Sequence, residues 1–141
     1  MKLDLPANLK LVHEMRIPVR WGDLDAMGHV NNTIYFRYFE SLRIDWLRAF
    51  GAAPNPAGVG PVMANGFCNF LRQIEYPGEI VARHFVGAVG TRSVDTYFTL
   101  SMADDPGTVC ANGGATLVWL DFPSKRTVPL PDDLRAACTA A

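Results

Sequence analysis

Residues 21–35 read WGDLDAMGHVNNTIY, a run that places two acids, two glycines, a histidine and two amides between two different periodicities. Before it, residues 12–20, VHEMRIPVR, alternate in polarity and carry β-branched side chains, as a strand does. After it, Tyr35, Phe39, Leu42, Trp46 and Phe50 recur at helical spacing, which predicts one long helix from about Thr33 to Phe50, stopped by Gly51. The quoted run is therefore a loop that ends at a helix N-terminus. Such an end aims unpaired backbone N–H groups and a partial positive charge at whatever occupies the loop's mouth.

Past Gly51, residues 51–61 (GAAPNPAGVGP) are rich in proline and glycine and read as a connection. Strand signals then dominate, near residues 62–75, 79–90, 93–103 and 108–122. Turns are predicted at Tyr76-Pro77-Gly78, Gly90-Thr91 and Asp104-Asp105-Pro106-Gly107. Val94, Phe98, Leu100 and Met102 alternate with Asp95, Thr99 and Ser101, as in a sheet with one wetter face. The run Ala111-Asn112-Gly113-Gly114-Ala115 lacks bulk in the middle of an apolar strand, which predicts that the helix crosses the sheet there. Strand, helix, then four long antiparallel strands make an α+β layer of one helix on about five strands. One helix does not cover such a sheet, so a second copy of the chain is expected to bury the remainder and an edge strand.

Composition narrows the function. The 141 residues suit one domain spanning 1–141, and 49% hydrophobic against 19% charged residues is globular and somewhat apolar. Thirteen basic and fourteen acidic side chains give a net charge of −1 with no Lys/Arg stripe, so nucleic acid is not an expected partner. No apolar run approaches the ~20 residues that span a bilayer, and Met1 to Lys10 lacks the apolar core of a signal peptide; membrane insertion is not expected and a cytoplasmic location is. Cys68, Cys110 and Cys138 are odd in number and widely spaced, which speaks against a disulfide framework or zinc ribbon. His13, His29 and His84 lack zincin spacing, no G-x-S-x-G elbow occurs, and Gly58-Val59-Gly60 is followed by Pro61 rather than a helix. Neither a metal nor a redox cofactor is expected.

A helix N-terminus can polarise a carbonyl and stabilise the oxyanion formed on attack. A neighbouring carboxylate supplies the base or nucleophile that ester or thioester hydrolysis also needs. Asp25 is the candidate. Asp23 is read as a structural residue bonding loop amides, and Asn31 or Asn32 as the helix cap. The ordinary alternatives are a turn-forming role for Asp25, a solvated or hydrogen-bonded His29, and an ion pair between Glu40 and Arg43 at i and i+3.

The pattern D-x-D-x-x-G-H-V-N-N-x-x-Y, followed by Glu40 and Arg43 as E-x-x-R, resembles the 4-hydroxybenzoyl-CoA thioesterase-like family, and its long-chain acyl-CoA thioesterase branch in the G-H-V-N-N portion. The resemblance extends through Tyr76-Pro77-Gly78 and Gly90-Thr91-Arg92-Ser93, over most of residues 12–130. It implies a hotdog fold and hydrolysis of an acyl-CoA thioester, with coenzyme A entering only as part of the substrate. It further implies that Asp25 is catalytic and that the Asn32 backbone N–H meets the thioester carbonyl. Gly28 then allows close backbone approach and His29 belongs to the same catalytic group. Arg92 and Ser93, together with Asn31 and Tyr35, become substrate-binding candidates, Arg92 for a CoA phosphate near a subunit boundary of a homodimer or homotetramer. Two other functions fit the same fold, hydration or dehydration of an enoyl-CoA and non-catalytic acyl-CoA binding. His29 follows Asp25 by four positions rather than in the five-residue step with Asn-Pro expected of a hydratase, and a binding module has no need of Asp25.

Overall fold

Asn31 starts the long helix α1 (Asn32–Ala49): its side-chain oxygen accepts the Thr33 N–H at 2.9 Å and the Thr33 hydroxyl at 2.7 Å. Of the two amides considered for the cap, the first one serves. Gly51 stops the helix, its φ of +64° being a left-handed conformation that costs glycine little. The buried side of α1 carries Tyr35, Tyr38, Phe39, Leu42, Trp46 and Leu47: the expected stripe gains Tyr38 and Leu47 and loses Phe50, which caps the helix and is only partly buried.

The computed structural model describes residues 1–139. Around α1 it contains β1 (Lys10–Pro18), a single 3₁₀ turn (Trp21–Asp23), β2 (Val59–Phe70), β3 (Glu79–Val89), β4 (Ser93–Met102), β5 (Asp105–Asp121), β6 (Arg126–Thr127) and a second helix α2 (Asp132–Thr139). The long strands are antiparallel in the order β1-β3-β4-β5-β2, and the two residues of β6 pair with the end of β5. Register shifts between Leu11 and His13, Met63 and Asn65, Val86 and Val89, and Leu100 and Met102 mark bulges that bend the strands. The result is the expected α+β hotdog fold, a curved antiparallel sheet packed against one long helix.

The glycine run has the predicted purpose. A Cβ on Gly113 would lie 3.1 Å from Cε2 of Phe39 on α1 and collide with the Phe67 carbonyl on β2. Phe39 in turn stacks on Phe98 of β4, with centroids 4.7 Å apart and planes 14° apart. Removing bulk from β5 is what lets α1 seat this closely on the sheet.

Three expectations need correction. The turn before β5 is tighter than predicted: it lies at Ala103-Asp104, while Asp105, Pro106 and Gly107 already belong to the strand, Asp105 pairing with Met102. β2 ends at Phe70, because Leu71 and Arg72 both direct their N–H groups to the Cys110 carbonyl rather than continuing a ladder. The close ion pair on α1 joins Arg37 and Glu40 at 3.6 Å, not Glu40 and Arg43. The sequence reading also missed α2. Its signals were present: Pro131 before the helix, Asp132 and Asp133 in the first turn, and Leu134 and Cys138 four apart, both buried against Trp46, Leu47 and Trp119.

Candidate active site

Asp25 lies in a small closed loop. Leu24 and Val30 form an isolated antiparallel bridge, the Asp25 N–H donates to the His29 carbonyl at 3.1 Å, and the Gly28 N–H donates to the Asp25 carbonyl at 3.0 Å. Gly28 has φ +80° and nothing within 4 Å of a would-be Cβ, so glycine serves here for its backbone freedom and the space beside it stays open. The Asp25 carboxylate accepts the Met27 N–H on Oδ1 at 2.9 Å and the Asn31 amide on Oδ2 at 3.3 Å. The first bond is the local Asp turn anticipated as the ordinary reading, and it orients the carboxylate without using all its acceptor sites. Asp25 is exposed, and so are Trp21 and Met27 beside it.

Three ties hold this loop to the body. The Val30 N–H donates to the Ile74 carbonyl and the Asn31 N–H to the Asp23 carbonyl, both at 2.9 Å. Asp23 Oδ2 accepts the Arg20 N–H at 3.0 Å and the buried Tyr38 hydroxyl at 2.7 Å. Asp23 thus has the structural place expected of it, with an anchor on α1 that the spacing did not disclose. Burial, the Asp23 hydrogen bond and the Asp23 charge together push the Tyr38 phenol well above the usual tyrosine range.

Asn31 has two attachments, to the helix through its oxygen and to Asp25 through its nitrogen. In the first turn the Thr33 and Ile34 N–H groups are taken by Asn31, whereas the Asn32 N–H has no hydrogen-bond partner among the described residues. Asp25 is thus tied through Asn31 to the helix end that carries this free donor. His29 shares the loop, but its side chain turns to Glu75, with Nε2 3.8 Å from the carboxylate. Glu75 was not a sequence candidate; it arrives from the segment after β2, and no local spacing announces it. Tyr35 is buried, its ring edge-on to Phe70 with centroids 4.9 Å apart, and burial raises its phenol pKa. It is placed to pack the floor of the site.

Arg92 and Ser93 lie elsewhere. They follow β3, whose first residue Glu79 pairs with Pro18 near the Asp25 loop, so the eleven residues of β3 separate the two groups by roughly 30 Å. The turn is well braced: Arg135 of α2 donates to the Gly90 and Thr91 carbonyls at 2.7 and 2.8 Å. The Arg92 guanidinium itself is exposed, 3.4 Å from the Thr127 hydroxyl.

A cleft of about 320 Å³ runs beside α1 from the first helical turn, at Thr33 and Ile34, past Phe36 and Phe39 to Arg43, with Met63 of β2 and Phe98 of β4 opposite. Its lining mixes the apolar Phe36, Phe39, Met63 and Phe98 with Thr33, Arg37, Glu40 and Arg43, so it can hold a small ligand group with both apolar and charged parts. Cys68 is no rival nucleophile: burial pushes its thiol up to about 12. Among the described residues no three His, Cys, Asp or Glu side chains converge to hold a metal, and no helix is long and apolar enough to cross a membrane.

A sequence model of the Thioesterase-like superfamily matches residues 19–138. Among solved structures, a candidate thioesterase from Pseudomonas aeruginosa is 38% identical, with a TM-score of 0.88 over 91% of this chain and 98% of that one. A thioesterase-superfamily protein from Jannaschia is 28% identical, with a TM-score of 0.84 over 96% of this chain and 84% of that one. A candidate acyl-CoA thioesterase from Xanthomonas campestris is 32% identical, with a TM-score of 0.72 over 78% and 93%.

Proposed function

The chain belongs to the thioesterase-like superfamily, and from that membership we propose that it hydrolyses an acyl-CoA thioester to a carboxylic acid and free CoA. The observation that carries this reading is an oriented carboxylate, Asp25, tied through Asn31 to a helix N-terminus whose Asn32 N–H is unpartnered among the described residues, next to Thr33 where the cleft beside α1 begins. The thioester carbonyl oxygen accepts the Asn32 N–H, and the helix end stabilises the negative charge that grows there. Asp25 either removes a proton from the attacking water or attacks the carbonyl itself. In both cases the tetrahedral intermediate collapses by breaking the C–S bond, and the CoA thiolate leaves and takes up a proton; on the direct route the acyl group is left on Asp25 as a mixed anhydride, which water then hydrolyses to the acid and the free Asp25 carboxylate. Gly28 leaves room for the substrate, Asn31 holds Asp25, and His29 with Glu75 lines the side of the mouth.

The same reading makes the working particle an oligomer. β2 is an edge strand with an open row of ladder groups and exposed Val59, Val62, Met63 and Phe70. Phe70 is at the Asp25 end of the sheet and Val59 at the Arg92 end. Pairing two β2 edges antiparallel about a two-fold axis brings the Arg92 turn of one copy toward the Asp25 loop of the other. Arg92 can then hold a CoA phosphate for a thioester cleaved in its partner's site. Thiol release from short, long and aromatic acyl-CoAs tests the activity: release from at least one supports the reading, whereas a change in enoyl absorbance without thiol, or binding without turnover, overturns it.

A further inference from the structure

One charge in the cleft has no part in bond cleavage. Arg43 lines the inner end, half-buried, and among the described residues its guanidinium has no hydrogen bond or ion pair. Glu40, one turn earlier, favours its charge from a distance, but the close partner of Glu40 is Arg37. Burial works against the charged guanidinium and lowers its pKa from the usual arginine value. A partly desolvated cation without a close ion-pair or hydrogen-bond partner is costly unless an anion arrives to meet it.

The surroundings define the anion. Phe36, Phe39, Met63 and Phe98 supply apolar walls, and Phe98 is held between Phe39 and the His84 ring, 4.8 Å away and tilted by 7°. Glu40 is at the rim. Arg37 also lines the cleft but is paired with Glu40 at 3.6 Å, which leaves Arg43 as the lining cation with no close partner among the described residues. A polyanion such as the CoA nucleotide would meet the Glu40 carboxylate, whereas an apolar chain with one terminal negative charge matches both the walls and the one cation left over. Arg43 is eleven residues beyond Asn32, or roughly 16 Å along the helix, and helical side chains lean back toward the N-terminus. Arg43 therefore lines the cleft at the end away from the helix N-terminus.

We propose that this cleft receives acyl chains ending in a carboxylate and that Arg43 is the residue that selects them, binding the two carboxylate oxygens through its planar fork. The proposal rests on thioester hydrolysis at Asp25 and names the substrate class for that site.

The experiment compares thiol release from paired CoA thioesters of equal carbon number, one ending in methyl and one in carboxylate, in the wild type, Arg43→Met and Arg43→Lys. The wild type is expected to prefer the carboxylate member, and Arg43→Met to lower the ratio of the two kcat/KM values by about ten- to a hundredfold. Arg43→Lys, which keeps the charge but not the fork, should restore part of the ratio. A wild type that prefers the methyl member at every length, or a ratio unmoved by Arg43→Met, overturns the selection while leaving hydrolysis standing. Loss of oligomer mass in Arg43→Met, with the ratio unchanged, would assign the guanidinium to a contact between copies instead. Absence of thiol release from every thioester removes this inference together with the reading beneath it.

Discussion

The Tyr38 hydroxyl donates to the Asp23 carboxylate at 2.7 Å, which ties the second turn of α1 to the loop that carries Asp25. A hydrogen bond to a charged acceptor contributes about 1.5–3 kcal/mol, so Tyr38→Phe is expected to lower unfolding stability by about that amount. It should also reduce kcat by loosening Asp25 relative to the helix end. Chemical denaturation and steady-state kinetics on the same preparation check both, and unchanged stability would mean that the loop is held by its backbone bonds alone.

Asp25→Asn keeps the size of the side chain and an acceptor for the Met27 N–H, so the loop should remain folded. Turnover is expected to fall about 10²–10⁴-fold if Asp25 is a general base. A folded variant with wild-type turnover would rule Asp25 out. A single turnover of the wild type in heavy-oxygen water tests the direct route: label found in the Asp25 carboxylate marks attack by Asp25 on the thioester followed by hydrolysis at the aspartyl carbonyl.

Gly113→Ala tests the seating of α1. The added methyl meets the Phe67 carbonyl and the Phe39 ring, and overpacking of this kind costs about 1–3 kcal/mol. Gly107, with nothing within 4 Å of its Cβ position, is the control. Thermal unfolding should show a lowered midpoint for Gly113→Ala and little change for Gly107→Ala.

Assembly and the composite site share one experiment. Light scattering at micromolar concentration should give a mass above the 15.5 kDa of the chain. Asp25→Asn is expected to lose kcat and Arg92→Ala to raise KM for acyl-CoA. Co-folding the two should restore wild-type behaviour in part, because each mixed dimer then contains one site with both residues intact. No recovery from a verified mixture would place Arg92 outside its partner's site.

His84 predicts the acid side of the stability curve. It is fully buried, both ring nitrogens lack hydrogen-bond partners among the described residues, and its ring stacks on Phe98 and meets the edge of Trp46. Burial, with Arg43 and, when protonated, His13 adding to it, lowers its pKa from 6.5 to about 3. Above about 6.5 both folded and unfolded chains leave this imidazole neutral and it adds no pH dependence. Below that value the unfolded chain binds the proton and the folded chain resists it, so stability falls with pH down to about 3, approaching 1.4 kcal/mol per pH unit. His84→Leu should flatten this slope, whatever it does to stability at neutral pH. An equal slope in both proteins would assign the acid sensitivity to other groups.

Local chemistry was legible in the residues themselves. Strand and helix periodicity, the Asn cap, the glycine stop and the bulk-free run under Phe39 each depend on neighbours within a few positions, or on a side chain that is conspicuously absent. The helix α2 was equally local, and its acids, proline and paired apolar residues sufficed to find it. What only the tertiary structure decided are relations between distant segments: Tyr38 reaching Asp23, Ile74 and Glu75 closing over the loop, Arg43 left without a close partner among the described residues, and Arg92 at the far end of the sheet from Asp25. Spacing along the chain specifies which face a side chain occupies, but strand order and register determine which faces meet, and those are set by burial of the whole core rather than by any one stretch of it.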